Sequence, residues 1–268
     1  MNIDFSACAT FKGENQKPLI TERLVRLGRA RPSIQEIAET AVRRGLDGVV
    51  LRSFSHSEGT DNRWQVYKQQ MEGAEGFTYL GNGTALYESP TSGKKLLLIH
   101  GQGLASSEGS IQVLFAEGDV GGRGEKFNPN FYDLVHRARE SGEGTIITAA
   151  RPYNWNLEAL EHVDAVETWN GMDSFSNSLK AQEVADQLEK AGVYVSNSKC
   201  LMDLGRSYTT LDISQWMGSV RANIDAIHAG LDLRLNQTDL GGKKGRSTLS
   251  TLIQLAAIAE VKLTGNKD

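Results

Sequence analysis

The residues of this chain that could do chemistry are few, and they are of two kinds. Two cysteines, Cys8 and Cys200, and five histidines could supply thiolate and imidazole ligands to zinc. A histidine beside a thiol could also serve as the base of a nucleophile, and His100 is the candidate for that role. Arginines are the second kind, because the planar guanidinium donates paired hydrogen bonds to phosphate or carboxylate. Neither chemistry follows from residue type alone, since the fold must bring the groups together.

Strand-like and helix-like segments alternate along most of the chain. Ser33 and Glu36 form a capping-box pattern, apolar residues follow at helical spacing and Gly45 ends the pattern, which predicts a helix. The apolar segments at 48–51 and 95–100 are typical of buried parallel strands. Six or seven such strands with intervening helices favour parallel β/α winding that is closed or nearly closed.

The carboxyl-terminal part is predicted to be mainly helical. Trp216 and Ile224 belong to an apolar face that predicts a helix from 213 to 230, and a final amphipathic helix is predicted from about 247 to 261. No internal repeat and no proline- or serine-rich linker interrupts the pattern. We therefore expect residues 1–268 to form a single domain, with the last helix packed on it or on a partner.

The order of these segments resembles the PHP family (polymerase and histidinol phosphatase domain). The most specific matches are VDAVETWNG at 163–171 and DLGRSYT at 203–209, and RGLDG at 44–48 and EGS at 108–110 also match. The resemblance covers roughly residues 3–210. It implies an α/β fold, namely a distorted, TIM-like (β/α)7 barrel.

The metal ligands of that family are missing from this chain. Members open with D-x-H-x-H-T, and here Ser6 and Cys8 replace the two histidines that follow the aspartate at Asp4. His, Asp and Glu ligands in the later motifs are replaced as well. The replaced positions are Ser6, Cys8, Ser53, Phe54, Gly103, Ser110, Arg151, Ser198 and Cys200. Serine, phenylalanine, glycine and arginine do not hold the divalent ions that create a hydroxide nucleophile, so the resemblance implies a kept fold and a lost metal cluster.

Arginine gives the mouth of the barrel a positive charge in this alignment. Arg151 stands where a metal-binding histidine would be, and Arg52 just precedes a lost Asp-His pair. We predict that a small anionic or phosphorylated ligand binds there. The predicted ligand-binding residues are Arg151, Arg52, Ser6, Ser53, Gln102, Ser198 and Lys199. The alternative is that Arg151 pairs with an acid such as Glu167 or is simply solvated.

The two cysteines also have two interpretations under this resemblance. Cys8 and Cys200 would lie at strand ends of one mouth, where they could form a zinc site with His100 or His56. The favoured interpretation is that they are small buried side chains filling the space of imidazoles. We therefore expect no metal and no cofactor.

The substitutions favour a pseudoenzyme whose mouth binds a small anion or a partner protein. The alternative is an active phosphoesterase or another hydrolase with a rebuilt or metal-free site. A partner in nucleic-acid metabolism is implied only by analogy, since PHP domains of DNA polymerases include degenerate members.

Composition and charge narrow the classes of function and location that remain. The net charge is −4, the isoelectric point is about 5.8 and there is no basic run, which does not indicate a general nucleic-acid binder. We recognise no signal peptide, and the longest apolar run, near 255–259, is far too short to span a bilayer. Two cysteines make no disulfide framework. We expect a cytoplasmic protein without a membrane partner.

Overall fold

The computed structural model describes residues 1–7, 32–56, 59–60, 63–121, 129–198, 201–236 and 242–245. Its elements are numbered here in chain order. The strands are β1 (Asn2–Ala7), β2 (Gly48–His56), β3 (Gly59–Thr60), β4 (Phe77–Gly81), β5 (Thr84–Glu88), β6 (Lys95–Ala105), β7 (Ser110–Leu114), β8 (Ile146–Ala150), β9 (Ala165–Asn170), β10 (Ala191–Val195), β11 (Tyr208–Thr210) and β12 (Gly242–Lys243). The helices are α1 (Ile34–Arg43), α2 (Arg63–Met71), α3 (Phe131–Glu140), α4 (Leu157–Leu160), α5 (Phe175–Gln187) and α6 (Val220–Asn236).

Seven of these strands form the wall of a nearly closed barrel. They are hydrogen-bonded in the order β10-β9-β8-β7-β6-β2-β1. On the remaining side, β11 pairs with β1, and Thr209 of β11 accepts the N–H of Tyr194 in β10 at 2.7 Å. This architecture confirms the predicted α/β class and the distorted (β/α)7 barrel.

One strand runs against the expected parallel winding. β1, β2 and β6 are parallel, as are β8, β9 and β10, but β7 is antiparallel to both β6 and β8. The reason is the short connection from Ala105 to Ser110, because a parallel return needs a crossover of a dozen or more residues. The barrel is therefore wound in two parallel halves joined by a reversed strand.

Alternate residues of each strand face the barrel interior and the outer helices, as strand geometry requires. On β2, Val50 belongs to the interior cluster with Ile224 and Ile227 of α6, which packs against the barrel. Its neighbours Val49 and Leu51 belong to the cluster that includes α1. A third cluster packs α3, α4 and α5 against the outer face of β7, β8 and β9.

The start of α1 shows how local sequence defines an element. The hydroxyl of Ser33 accepts the N–H of Glu36 at 3.2 Å, and the carboxylate of Glu36 accepts the N–H of Ser33 at 3.0 Å. The chain leaves the helix through Gly45, whose φ of 78° is easily adopted by glycine. The predicted capping box and helix are both confirmed.

The predicted helix from 213 to 230 is displaced in the structure, since α6 begins only at Val220 and continues to Asn236. The side chain of Asn223 accepts the N–H of Met217 at 2.7 Å and donates to its carbonyl at 2.9 Å, which holds the preceding segment outside the helix. The predicted helix at 247–261 lies outside the described residues. Within the described part of the chain, no helix is both long enough and apolar enough to cross a bilayer.

Candidate functional site

The predicted ligand-binding residues fall on opposite faces of the sheet. Arg52 follows Val50 on the interior face of β2, so the adjacent Ser53 points to the outer side. Gln102 lies on the outer face of β6, in the same alternation as Leu98 and Leu104. The structure therefore does not bring Ser53 and Gln102 together with Arg52.

Arg52 forms a buried ion pair with Glu167 across the barrel interior. Nη1 of Arg52 lies 3.7 Å from Oε1 of Glu167, and the two side chains are only 4% and 2% exposed. The other oxygen of Glu167 accepts a hydrogen bond from Asn170 at 3.1 Å. Since β2 and β9 are not neighbours in the sheet, this pair connects distant parts of the wall. The sequence alternative paired Arg151 with an acid such as Glu167, whereas in the structure Glu167 pairs with Arg52.

Burial controls the titration of this pair. It lowers the pKa of Arg52 and raises the pKa of Glu167, because both ionic forms lose their hydration. The charge of each partner acts against that shift, and Asn170 also favours the carboxylate form of Glu167. The pair thus places one positive and one negative group in the barrel interior.

Arg151 lies at the end of β8 with an unusual backbone and an exposed side chain. Its φ of 53° is left-handed, and the turn at 152–154 follows directly. Nε lies 3.1 Å from both carboxylate oxygens of Asp173, and Nη2 lies 2.8 Å from Oδ1. The hydroxyl of Tyr153 donates to Oδ2 of Asp173 at 3.2 Å. The Arg151 side chain is 54% exposed, whereas that of Asp173 is 9% exposed.

The two ion pairs act on each other at this end of the barrel. Burial lowers the pKa of Arg151, but the charge and hydrogen bonds of Asp173 more than offset it, so the net shift is upward. The charges of Arg151 and Asp173 also act on Glu167. These four groups carry two positive and two negative charges, so together they are neutral.

Glycine makes room for a polar side chain inside the barrel. Gln112 is buried in the interior and donates to the carbonyl of Phe5 at 2.6 Å. A Cβ atom at Gly101 would lie 3.0 Å from Nε2 of Gln112 and 2.7 Å from Cγ1 of Val50. The absence of a side chain at Gly101 is therefore what allows Gln112 to reach across to β1. This contact was missed from the sequence.

Ser53 and His100 form a separate contact on the outer face. The hydroxyl of Ser53 lies 2.6 Å from Nε2 of His100. Burial lowers the pKa of His100 to about 4, with the charge of Asp119 opposing the shift. The ring is therefore neutral at pH 7 and is a weak base. Nearby, Gln102 accepts the N–H of Val120 at 2.9 Å and donates to Gly118, which anchors the loop after β7.

The remaining predicted site residues lie near the closing edge of the barrel or beyond the described part. Ser198 is fully buried, and its N–H donates to the hydroxyl of Ser196 at 3.3 Å. The side chain of Ser6 lies outside the described residues. The same holds for Lys199, Cys8 and Cys200, so the zinc alternative stays a prediction.

Comparisons with known proteins identify the fold. No family model and no curated protein matches the sequence. The crystal structure of PsfC from Pseudomonas syringae is similar, with a TM-score of 0.54 and 14% identity over 98% of each chain. The fold is also similar to that of a two-domain protein from Bacteroides vulgatus containing a predicted PHP-like metal-dependent phosphoesterase, with a TM-score of 0.51 and 14% identity. That match covers 87% of this chain and 63% of the other. The fold is PHP-like.

The described residues of this PHP-like barrel do not fit a cluster of divalent cations. Nowhere in the described ranges do three His, Cys, Asp or Glu side chains come together as a metal site. Arg52 and Arg151 bring positive charge to this end of the barrel, and each is engaged by a carboxylate. The two guanidinium groups engage the carboxylates of Glu167 and Asp173, which are therefore not available as metal ligands in this arrangement. Cys8 lies outside the described residues, and loss of the whole cluster remains a prediction.

Proposed function

We propose that this PHP-like chain is a binding protein without metal-dependent catalysis, and that Arg151 receives the anionic group of a small phosphorylated ligand. One observation carries the proposal. The Arg151 guanidinium is exposed at the carboxyl end of β8 and already presents its Nε and Nη2 edge to a carboxylate. An edge that binds a carboxylate in this way also suits a phosphate.

Arg52 has a different role in this proposal. Its side chain is 4% exposed and paired with Glu167, so direct contact with a ligand would leave a buried carboxylate unpaired at high cost. We assign Arg52 a structural role, in which its ion pair with Glu167 links β2 to β9, rather than contact with the ligand. This revises the predicted ligand set, in which Arg52 and Arg151 acted together.

A metal-free hydrolase is the second candidate, and the 2.6 Å contact between Ser53 and His100 is the observation that favours it. Two features weigh against this candidate. An imidazole with a pKa of about 4 is a weak base at neutral pH. Ser53 also faces the outer layer, so the sheet separates it from the interior pair of Arg52. We therefore favour binding over hydrolysis.

Calorimetric titration and thermal unfolding with inorganic phosphate and phosphate monoesters test the proposal. A ligand at about a hundred times its Kd should stabilise the wild type by about 2.7 kcal/mol. Arg151→Ala should abolish the effect, and Arg151→Lys should weaken it because lysine lacks the two-donor edge. Equal stabilisation of the wild type and Arg151→Ala would contradict the site. Stoichiometric metal in purified protein, together with phosphatase activity that a chelator abolishes, would contradict the loss of catalysis.

A further inference from the structure

Asp173 covers the edge of Arg151 that an anionic ligand needs. Its carboxylate receives hydrogen bonds from Nε and Nη2 of Arg151 and a third from the hydroxyl of Tyr153. A carboxylate held by a guanidinium edge and a hydroxyl has the surroundings of a bound anion. Here the chain supplies that anion itself.

We propose that Asp173 is an internal competitor at the Arg151 site, a carboxylate that an anionic ligand has to displace. Because it assumes that Arg151 binds an anion, this inference rests on the proposed function. A monoanion such as acetate only exchanges one carboxylate for another. A phosphate dianion brings a second charge and a further oxygen, so it competes with Asp173 more strongly than a monoanion does.

The guanidinium keeps a donor available for that further oxygen. Nε and Nη2 of Arg151 are used by Asp173, while Nη1 has no hydrogen-bond partner among the described residues. A tetrahedral phosphate that replaces Asp173 can therefore engage the edge and still offer an oxygen towards Nη1.

The surrounding charges set the electrostatic cost of the exchange. Arg52 and Glu167 neutralise each other in the interior, so Asp173 is the acid that balances Arg151 at the rim. When Asp173 turns away, the rim gains one positive charge. The exchange proposed here moves the side chain of Asp173. Its backbone N–H lies 3.0 Å from the carbonyl of Asn170 and is not part of the site.

The test compares Asp173→Asn with the wild type by calorimetric titration at about pH 8, with inorganic phosphate and with acetate as probes. Asparagine keeps the size of the side chain and removes its charge. A rim ion pair of ordinary strength lowers the fraction of open sites about fivefold, so the variant should bind phosphate at least about fivefold more tightly. Acetate should also gain affinity, because every anion that occupies this edge of Arg151 has to displace Asp173.

Asp225→Asn is the matched control, because Asp225 pairs with Arg221 at 3.0 Å on α6 and its loss changes the net charge equally. This control should bind both probes as the wild type does. An equal gain in the control would assign the effect to net charge and overturn the inference. If the wild type binds phosphate and Asp173→Asn binds it no better, Asp173 is not a competitor, and the proposed function stands without it. If none of the three proteins binds phosphate, the Arg151 site itself is refuted.

Discussion

Asp4 of β1 and Ser196, which follows β10, join the first and last strands of the barrel. The carboxylate of Asp4 accepts the N–H of Ser196 at 3.0 Å as well as its hydroxyl, and it accepts the N–H of Gly205 at 3.1 Å. Asp4 is fully buried. The aspartate that opens the first-strand motif therefore closes the barrel in this chain.

Replacing Asp4 should open that junction. Asp4→Ala removes the buried carboxylate that accepts the N–H groups of Ser196 and Gly205, which should lower the free energy of unfolding by about 3 kcal/mol. Urea denaturation measures the loss. Glu183→Ala, at an exposed position of α5, is the control and should stay within about 0.5 kcal/mol of the wild type. An Asp4→Ala protein as stable as this control would show that the junction contributes nothing.

The buried pair should behave as a unit. Arg52→Met removes the charge that faces the buried carboxylate of Glu167, and Glu167→Leu removes the charge that faces the buried guanidinium of Arg52, so each should cost about 3–5 kcal/mol. The double variant removes both charges and should be more stable than either single variant. A double-mutant cycle in urea measures the coupling. Additive losses would mean that the 3.7 Å contact carries no coupling energy.

A methyl group at Gly101 should disturb the interior. The added Cβ of Gly101→Ala would lie too close to Val50 and Gln112, and overpacking of this kind costs about 1–3 kcal/mol. Thermal unfolding should show a lower melting temperature. Gly218→Ala is the matched control, because a Cβ there meets nothing within 4 Å. Equal melting temperatures for the two variants would contradict the close packing at Gly101.

His100 should make the protein sensitive to acid. Its folded pKa of about 4 is below the ordinary value of 6.5, so the unfolded chain takes up a proton first as pH falls. The stabilisation is therefore complete above about pH 6.5 and is lost as pH falls towards 4, with a total of about 3 kcal/mol. Urea denaturation across this range measures it.

His100→Gln should flatten that part of the pH profile, since glutamine has no proton to gain. His136→Gln is the control, because the side chain of His136 is 70% exposed. If the wild type and His100→Gln lose stability in parallel between pH 6.5 and 4, another group is responsible.

The sequence predicted best where a few neighbouring residues decide the structure. Ser33 and Glu36 define the start of α1 by their own hydrogen bonds. The alternation of strand-like and helix-like segments indicated a closed or nearly closed barrel. The reversal of β7 was also readable, because the connection from Ala105 to Ser110 is too short for a crossover. Period-two alternation could likewise have placed Ser53 and Arg52 on opposite faces.

Long-range partners could not be predicted in the same way. Arg52 forms an ion pair with Glu167, which lies more than a hundred residues later in the sequence. Arg151 forms its ion pair with Asp173 rather than with Glu167. Residue types permit either pairing. The position of each residue along its strand, and the face of the sheet to which its side chain points, decide between them. The displacement of α6 has a similar origin, since Asn223 binds Met217 through side-chain bonds that leave no trace in apolar periodicity.

The left-handed backbone of Arg151 has an evolutionary consequence. Glycine adopts a φ of 53° without strain, and a residue with a Cβ does so at a cost. Selection for stability alone would favour glycine at the end of β8. An arginine at this position keeps that strain, and its ion pair with Asp173 is a contact that offsets part of the cost.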